Sequence, residues 1–386
     1  DKMRKVEMLT KALRRESVDR ILTWDYIDNE GILAQFGGYD RSQSYSFDDL
    51  IEINARAFKN IGLDMTRGIY DPVNHWMGGK IENWIRFFGV DPGDWAVEQA
   101  GGTAWISRRP FHDLKGLEQN MPNPPKFEDV REWFEPFIKR IKEIFDDHDL
   151  VWVGGVEGPV CDAYTYTDME LFMMAVFDAP ELIAHIMDCT GKFSAYIAQI
   201  YAEHATSPLM FMGEDICGTS GPILSPSFLR EQAVPRWRWI QDPIKSRGYA
   251  FLFHTDGRYG DALPVIFEDF QADGLHPIER NGCNDIYEIH SEYPNKLLFG
   301  NVCCAETLPR GNVYDVEDET LELIERLGPD GGIFIGSSSE LHDLVPVENG
   351  ATMYRTVHGY GTYPLDVDKI RARRHEIREK LSIRRN

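Results

Sequence analysis

From about residue 148 onward, short apolar runs alternate with longer amphipathic segments along the chain. The apolar runs predict strands at 150–158, 208–215, 249–256, 272–279, 296–302 and 332–339. The segments between them predict helices at 170–205, 226–248, 259–271, 283–293 and 316–328. This alternation is the order expected of βα units around a parallel sheet, so the pattern predicts an α/β fold.

The N-terminal part of the chain is less regular. It predicts helices at 2–15 and 46–61, an apolar segment at 62–69, short strands near 80–88 and 102–108, and a proline-rich loop at 109–127. We interpret these segments as the remaining barrel strands together with a decorated lid. Since no internal repeat or clear linker interrupts the chain, residues 1–386 are expected to form a single domain.

Composition and charge narrow the functional class. With 42% hydrophobic residues among 386, the chain can bury a large core. Its formal charge of −22 would repel a phosphate backbone, so no nucleic-acid partner is expected. The apolar runs are far shorter than the roughly 20 residues that a membrane helix needs, so we expect a cytoplasmic protein. The oligomeric state stays open, with a homodimer as one alternative.

The six cysteines lack the spacing of a disulfide framework or a zinc ribbon, which suits a reduced compartment. Only the adjacent pair Cys303 and Cys304 stands out. Either the two thiols are small buried side chains beside a strand end, or one of them supplies a soft metal ligand.

Polar residues follow the predicted strands where each strand ends. In βα barrels, chemistry gathers at these carboxyl ends, so one pocket could hold the whole set. Its members are Glu157, Glu214, Asp215, His254, Asp256, His276, Glu279, Cys303, Cys304 and Ser337 to Ser339.

His254 and Asp256 form the most specific pair in this set. They are two residues apart on a strand, so their side chains share a face. Nitrogen and oxygen at that spacing suit zinc, and Glu279 from the next strand end could complete the site with an open position. His276 lies three residues before Glu279, which places it on the opposite face of a regular strand, so we interpret it either as a residue that supports the metal ligands or as a structural residue. The alternative is a capped turn at residues 254–257 without any metal.

Three further residues are candidates for catalysis. Asp215 could bind substrate hydroxyls or cap the helix after Pro226. Glu157 likewise has both a functional and a structural interpretation. Tyr164 and Tyr166 are either pocket walls or core residues. We take Asp215, Glu157 and Tyr166 as the catalytic candidates. The chain has no dinucleotide fingerprint, Walker loop or nucleophile elbow.

Several segments together resemble the uroporphyrinogen decarboxylase superfamily, and within it the corrinoid-dependent methyltransferase branch. They lie at 12–22, 156–160, 213–240, 253–264, 272–279, 300–311 and 331–354. The resemblance extends from about residue 6 to 363 and implies a (β/α)8 TIM barrel with N-terminal helical and loop decoration.

The resemblance also bears on the reaction. Decarboxylases of the family carry an arginine-rich segment that clamps porphyrinogen carboxylates, but the corresponding stretch at 21–38 has no arginine. A decarboxylase of a porphyrin-like or other carboxylated substrate, with Asp64 or Asp215 as the acid, remains an alternative. A non-catalytic barrel that binds a tetrapyrrole is a third possibility.

Thiol methyltransferases of the superfamily hold zinc through H-x-C and a later cysteine, and a similar barrel adds a glutamate. Here His254 matches the histidine, Asp256 replaces the first cysteine, Glu279 matches the glutamate, and serines 337–339 replace the last cysteine. Whether Cys303, Cys304 or Ser338 contributes stays open. A nitrogen and oxygen set leaves zinc more electrophilic than thiolates do. The resemblance therefore implies O-demethylation, in which a methyl group moves between a methoxylated small molecule and a corrinoid on a partner protein.

Overall fold

The computed structural model describes residues 3–74, 76–100, 103–204 and 206–385. Within them, eight parallel strands form a barrel. In chain order these are β1 Trp24–Asp25, β2 Met65–Thr66, β3 Val151–Trp152 continuing as Gly155–Glu157, β4 Leu209–Gly213, β5 Ala250–His254, β6 Gly274–His276, β7 Leu297–Phe299 and β8 Ile333–Phe334. Each strand pairs with the next, and a parallel bridge from Thr23 to Ile335 joins β8 to β1 and closes the barrel. The predicted TIM barrel is confirmed.

Helices connect the strands and surround the barrel. The α-helices are Lys5–Leu13, Glu30–Ile32, Phe47–Ile61, Trp76–Phe88, Leu114–Gln119, Phe127–Asp147, Pro159–Thr167, Met169–Asp178, Pro180–His204, Pro226–Phe228, Val234–Lys245, Ala262–Pro264, Ile286–Glu292, Thr307–Arg310, Val313–Leu327, Val347–Tyr360 and Val367–Arg385. Three π-helical turns lie at Leu33–Gly37, Leu229–Ala233 and Val265–Asp269, and two 3-10 turns at Arg280–Gly282 and Gly328–Asp330. Among the described helices, none has the length and apolar character needed to cross a membrane.

The remaining strands decorate the barrel. They are Ile27–Asp28 paired with Leu341–His342, Cys217–Gly218 paired with Gly221–Pro222, and Ala96–Ala100 paired with Thr103–Arg108.

The barrel interior is a packed apolar plug with a polar layer above it. Side chains from alternate strand positions, among them Trp24, Phe211 and Phe299, fill the lower interior. Because side chains alternate along a strand, every second position faces the interior, and the last inward positions of β5 and β6 lie above this apolar layer. Those positions hold His254 and His276, both buried. The plug therefore supports a polar mouth at the carboxyl ends of the strands.

The N-terminal prediction was partly wrong. The segment near 80–88 is not a strand but part of the helix Trp76–Phe88, because its apolar residues recur every three or four positions. The strand near 102–108 exists from residue 103 but belongs to an antiparallel hairpin outside the barrel. The two remaining barrel strands are β1 and β2, each two residues long; β2 lies within the apolar segment expected at 62–69, whereas β1 lies outside every predicted element. His75 of the expected lid lies outside the described residues.

Barrel closure depends on Gly336, which follows β8. A Cβ atom there would lie 1.5 Å from the carbonyl oxygen of Trp24. We expect Gly336→Ala to lower the free energy of unfolding by about 2–3 kcal/mol, since the backbones of β8 and β1 would have to separate. Urea unfolding measures the change. As a control, Gly359→Ala meets no atom within 4 Å in its helix and should be neutral or slightly stabilising. Equal stability of the two variants would contradict the prediction.

Candidate metal centre at the barrel mouth

Three side chains converge at the mouth between β4 and β5. Asp215, His254 and Asp256 each offer one ligand atom, and these atoms all lie within 4.8 Å of one another. The Nε2 atom of His254 is 3.5 Å from Oδ1 of Asp215 and 3.9 Å from Oδ1 of Asp256. The convergence follows from the sheet register, because His254 lies opposite Gly213 and the N–H of Glu214 donates to the carbonyl of His254.

A second histidine orients the first. His276 lies opposite His254 in the parallel register, and their Nδ1 atoms share a hydrogen bond of 2.9 Å. Burial lowers the pKa of both rings well below its usual value, so both are neutral. This contact leaves Nε2 of His254 directed at Asp215. The expected outward orientation of His276 was wrong, because β6 ends at His276 and the alternation does not continue to Glu279.

The electrostatics of the cluster favour a bound cation. Burial, repulsion from Asp215 and repulsion from Glu279 raise the pKa of Asp256 to about 8. Burial also raises the pKa of Asp215, although the N–H of Asp256 donates to its Oδ1 at 3.0 Å. A dication between these groups would relieve the repulsion. One neutral imidazole nitrogen and two carboxylate oxygens form a donor set that fits zinc.

Glu279, predicted as the third ligand, lies beside the three-residue cluster. Its Oε2 accepts the N–H of Gly257 at 2.9 Å, so the carboxylate holds the turn that follows Asp256. Repulsion from its carboxylate contributes to the raised pKa of Asp256.

The three serines at 337–339 have different hydrogen-bond partners. Ser337 donates to Oδ1 of Asp25 at 2.5 Å, and Ser338 donates to the Sγ of Cys304 at 3.2 Å. Only Ser339 reaches the cluster, with its hydroxyl 3.5 Å from Oδ1 of Asp256. Cys303 and Cys304 are both buried, and burial raises the pKa of Cys304 to about 12, which keeps it a thiol.

Glu157 lies at the end of β3 in a neighbouring polar group. Its Oε2 is 3.6 Å from Nζ of Lys80, which also donates to Asp162 at 2.6 Å. Because Lys80 belongs to the helix Trp76–Phe88, these contacts fasten that helix over the β3 side of the mouth. Glu157 is 39% exposed, whereas Asp162 is 8% exposed, so Glu157 is the member of the group that a ligand can reach.

The residue before Asp215 has a structural role. Glu214 is fully buried, and its carboxylate accepts hydrogen bonds from the N–H groups of Val160 and Cys161 and from the indole of Trp237. It thereby anchors the start of the helix Pro159–Thr167. The alternative that Asp215 caps the helix after Pro226 was wrong, because Ser225 accepts the N–H of Phe228 there.

Tyr166 lies apart from the cluster of Asp215, His254 and Asp256. Its ring packs among Trp84, Trp95 and Phe111, and its hydroxyl donates to the carbonyl of Asn120. This corrects the assignment of Tyr166 as a catalytic candidate, because its contacts are those of a core residue.

A substitution separates the two tyrosines. Tyr164 donates to the carbonyl of Asp215 at 2.8 Å, whereas Tyr166 does not contact the cluster. We expect Tyr166→Phe to change stability by about 1 kcal/mol and to leave zinc affinity unchanged. Tyr164→Phe should weaken zinc binding about tenfold, because it releases the backbone of a ligand. Chelator competition measures both affinities, and equal losses would contradict this distinction.

Asp64, considered as a decarboxylation acid, lies at the opposite end of the barrel. It precedes β2 and forms two hydrogen bonds to Arg20 at 2.6 and 2.7 Å. Burial opposes ionisation, but Arg20 and Lys5 lower the pKa of Asp64 to about 2. Asp64 is therefore ionised at neutral pH and cannot act on a substrate in the mouth.

Sequence reasoning missed Arg67 and Glu340 at the mouth. Arg67 occupies the inward position two residues beyond Met65, and Glu340 follows the serine triplet. A signal was present for Arg67, since it lies between the end of β2 and Gly68, as Asp256 lies between the end of β5 and Gly257.

A closed parallel barrel with titratable groups at its carboxyl end defines a (β/α)8 barrel of the enzyme type. The model of the uroporphyrinogen decarboxylase (URO-D) family matches residues 97–360, and the chain belongs to this family. The family predicted from the sequence is thereby confirmed. Among curated proteins, none matches the chain.

A solved methyltransferase structure shares the fold. A methyltransferase from Methanosarcina mazei superposes with a TM-score of 0.71 at 18% identity, covering 93% of this chain and 99% of that one. A β-glycosidase from Thermosphaera aggregans gives a TM-score of 0.46 at 10% identity, covering 91% and 98% of the two chains. The first similarity supports the barrel fold over nearly the whole length of both proteins.

Proposed function

We propose that this protein is a zinc-dependent methyltransferase of a corrinoid-linked system. It would move a methyl group between a methoxylated small molecule and a corrinoid carried by a partner protein. Family membership supports an enzyme, and the Methanosarcina similarity is consistent with methyl transfer on this barrel. The observation that carries the proposal is the convergence of Asp215, His254 and Asp256 at the mouth.

The ligand set bears on the type of methyl donor. Zinc held by Asp215, His254 and Asp256 would supply Lewis acidity toward the oxygen that carries the methyl group. Nitrogen and oxygen donors favour an oxygen ligand over a thiol, which distinguishes O-demethylation from thiol methylation. The proposed ligand set differs from the one expected from the sequence in that Asp215 takes the place of Glu279.

The surrounding residues prepare the site. His276 fixes the ring of His254, and Tyr164 fixes the backbone of Asp215, so two ligands are held before any metal binds. Glu157 is the candidate for proton transfer to the leaving oxygen, because its partly exposed carboxylate lies in the Lys80 group at the mouth.

Elemental analysis of the purified protein tests the metal assignment. After dialysis against zinc without chelator, we expect about one zinc per chain in wild type and none in His254→Ala. His375→Ala is the matched control, since that histidine is 74% exposed on the C-terminal helix. A His254→Ala protein that retains zinc would overturn the proposal.

Functional assays separate the alternatives. Methylation of a reduced corrinoid protein by methoxylated donors, lost in His254→Ala, would support the proposed reaction. Carbon dioxide release without metal would instead indicate a decarboxylase, and tight tetrapyrrole binding without turnover would indicate a carrier.

A further inference from the structure

Arg67 reaches into the mouth from the end of β2. The two rings that hold it come from β4 and from the segment after β1: its guanidinium carbon lies 4.7 Å from the ring centroid of Tyr26 and 5.0 Å from that of Phe211. The side chain is only 21% exposed. Gly68 permits this arrangement, because a Cβ atom there would lie 2.8 Å from the Tyr26 ring.

Within the described residues the guanidinium forms no hydrogen bond, although it attracts Asp28, Asp215 and Glu340 electrostatically. Its Nε is buried and finds no hydrogen-bond partner among the described residues. The contact with Glu340 is loose, with 3.9 Å between Nη2 and Oε2. A guanidinium carries five N–H donors, and a mostly buried one ordinarily pairs with carboxylates or phosphates. The rings of Tyr26 and Phe211 hold the group in place without satisfying these donors.

Arg67 lies close to the metal cluster. The Phe211 ring neighbours both sites, since its centroid is 5.0 Å from the guanidinium carbon and 5.1 Å from the centroid of the His254 ring. The guanidinium and the His254 ring are therefore no more than about 10 Å apart, a distance that one small molecule can bridge. A dication held by Asp215 and Asp256 would compensate their charges. The other two nearby carboxylates, Asp28 and Glu340, form no hydrogen bond to Arg67, so its N–H donors are available to an anion.

We propose that Arg67 anchors a carboxylate on the small molecule whose methyl group is transferred at the metal centre, an inference that rests on the proposed function. A planar carboxylate matches the donor fork of the guanidinium in two parallel hydrogen bonds. The substrate class is then a methoxylated acid with a short spacer between its two functional groups.

Binding of matched probes to the zinc-loaded protein tests this assignment. Isothermal titration compares 4-methoxybenzoate with 4-methoxybenzamide, and methoxyacetate with methoxyacetamide, because the spacer length is open. We expect wild type to bind at least one acid about 10- to 100-fold more tightly than its amide. Arg67→Gln should abolish the preference, and Arg67→Lys should keep only part of it, because lysine has the charge without the fork. Arg41→Gln, at a side chain that is 68% exposed, is the matched control and should retain it.

Three results would overturn the inference. They are equal binding of acids and amides by wild type, a preference that survives in folded Arg67→Gln, and inorganic phosphate binding as tightly as the acids. The last result would identify a free-anion site. Zinc content is measured on the same samples, so a protein with zinc but no acid preference refutes only the role of Arg67. A protein with the acid preference but no zinc refutes the metal proposal.

Discussion

Replacing Asp215 by asparagine is expected to weaken zinc binding about 100-fold or more, with methyl transfer falling in parallel. The amide removes the charge that a dication requires, yet its oxygen can still accept the N–H of Asp256, which Asp215 accepts at 3.0 Å. The fold at the end of β4 should therefore persist. Competition with a chromophoric chelator gives the affinity, and circular dichroism confirms the folded state.

The companion variant Glu279→Gln distinguishes the two ligand sets. Glu279 accepts the N–H of Gly257, and a glutamine oxygen can replace that acceptor. Because Glu279 lies beside the cluster, we expect the zinc affinity of the Glu279→Gln protein to fall tenfold or less, roughly the effect of a supporting residue. A larger loss in Glu279→Gln than in Asp215→Asn would restore the set of His254, Asp256 and Glu279.

The regular part of the fold was predictable because buried parallel strands appear in the sequence as continuous apolar runs between amphipathic helices. The apolar runs located β3 to β8, and the spacing of His254 and Asp256 placed both near one site. That inference used only local geometry within one strand end, which the sequence encodes directly.

The rest depended on contacts between distant segments. β1 and β2 each pair one apolar residue with one polar residue, in a region without regular βα alternation, so no continuous apolar run marks β1. Asp215 joins the cluster through the register between β4 and β5, and His276 turns inward because β6 ends there. Both features arise where strand periodicity stops, and pattern reasoning loses its basis at that point.

At the opposite end of the barrel, Asp64→Asn is expected to lower the free energy of unfolding by about 3–5 kcal/mol at neutral pH. The Asp64 side chain is 1% exposed, and it accepts from the guanidinium of Arg20 and from the N–H of Thr23. The variant leaves the Arg20 charge, itself 13% exposed, without its counterion. Asp146→Asn is the control, because its ion pair with Arg4 is exposed on both sides and should change stability by less than about 1 kcal/mol.

The lowered pKa of Asp64 predicts how the stability difference between wild type and Asp64→Asn changes with pH. The pKa of Asp64 is lowered to about 2 in the native state, because its pairing with Arg20 and Lys5 outweighs the effect of burial, whereas the unfolded value is near 4. As pH falls through this window, the unfolded chain binds the proton first, so the stabilisation is complete above about pH 5 and is lost toward pH 2. Urea unfolding of wild type and Asp64→Asn at pH 7, 5, 4 and 3 should therefore show a difference that shrinks only below pH 5. A difference that stays constant across these pH values would mean that the charge of Asp64 does not stabilise this end of the barrel.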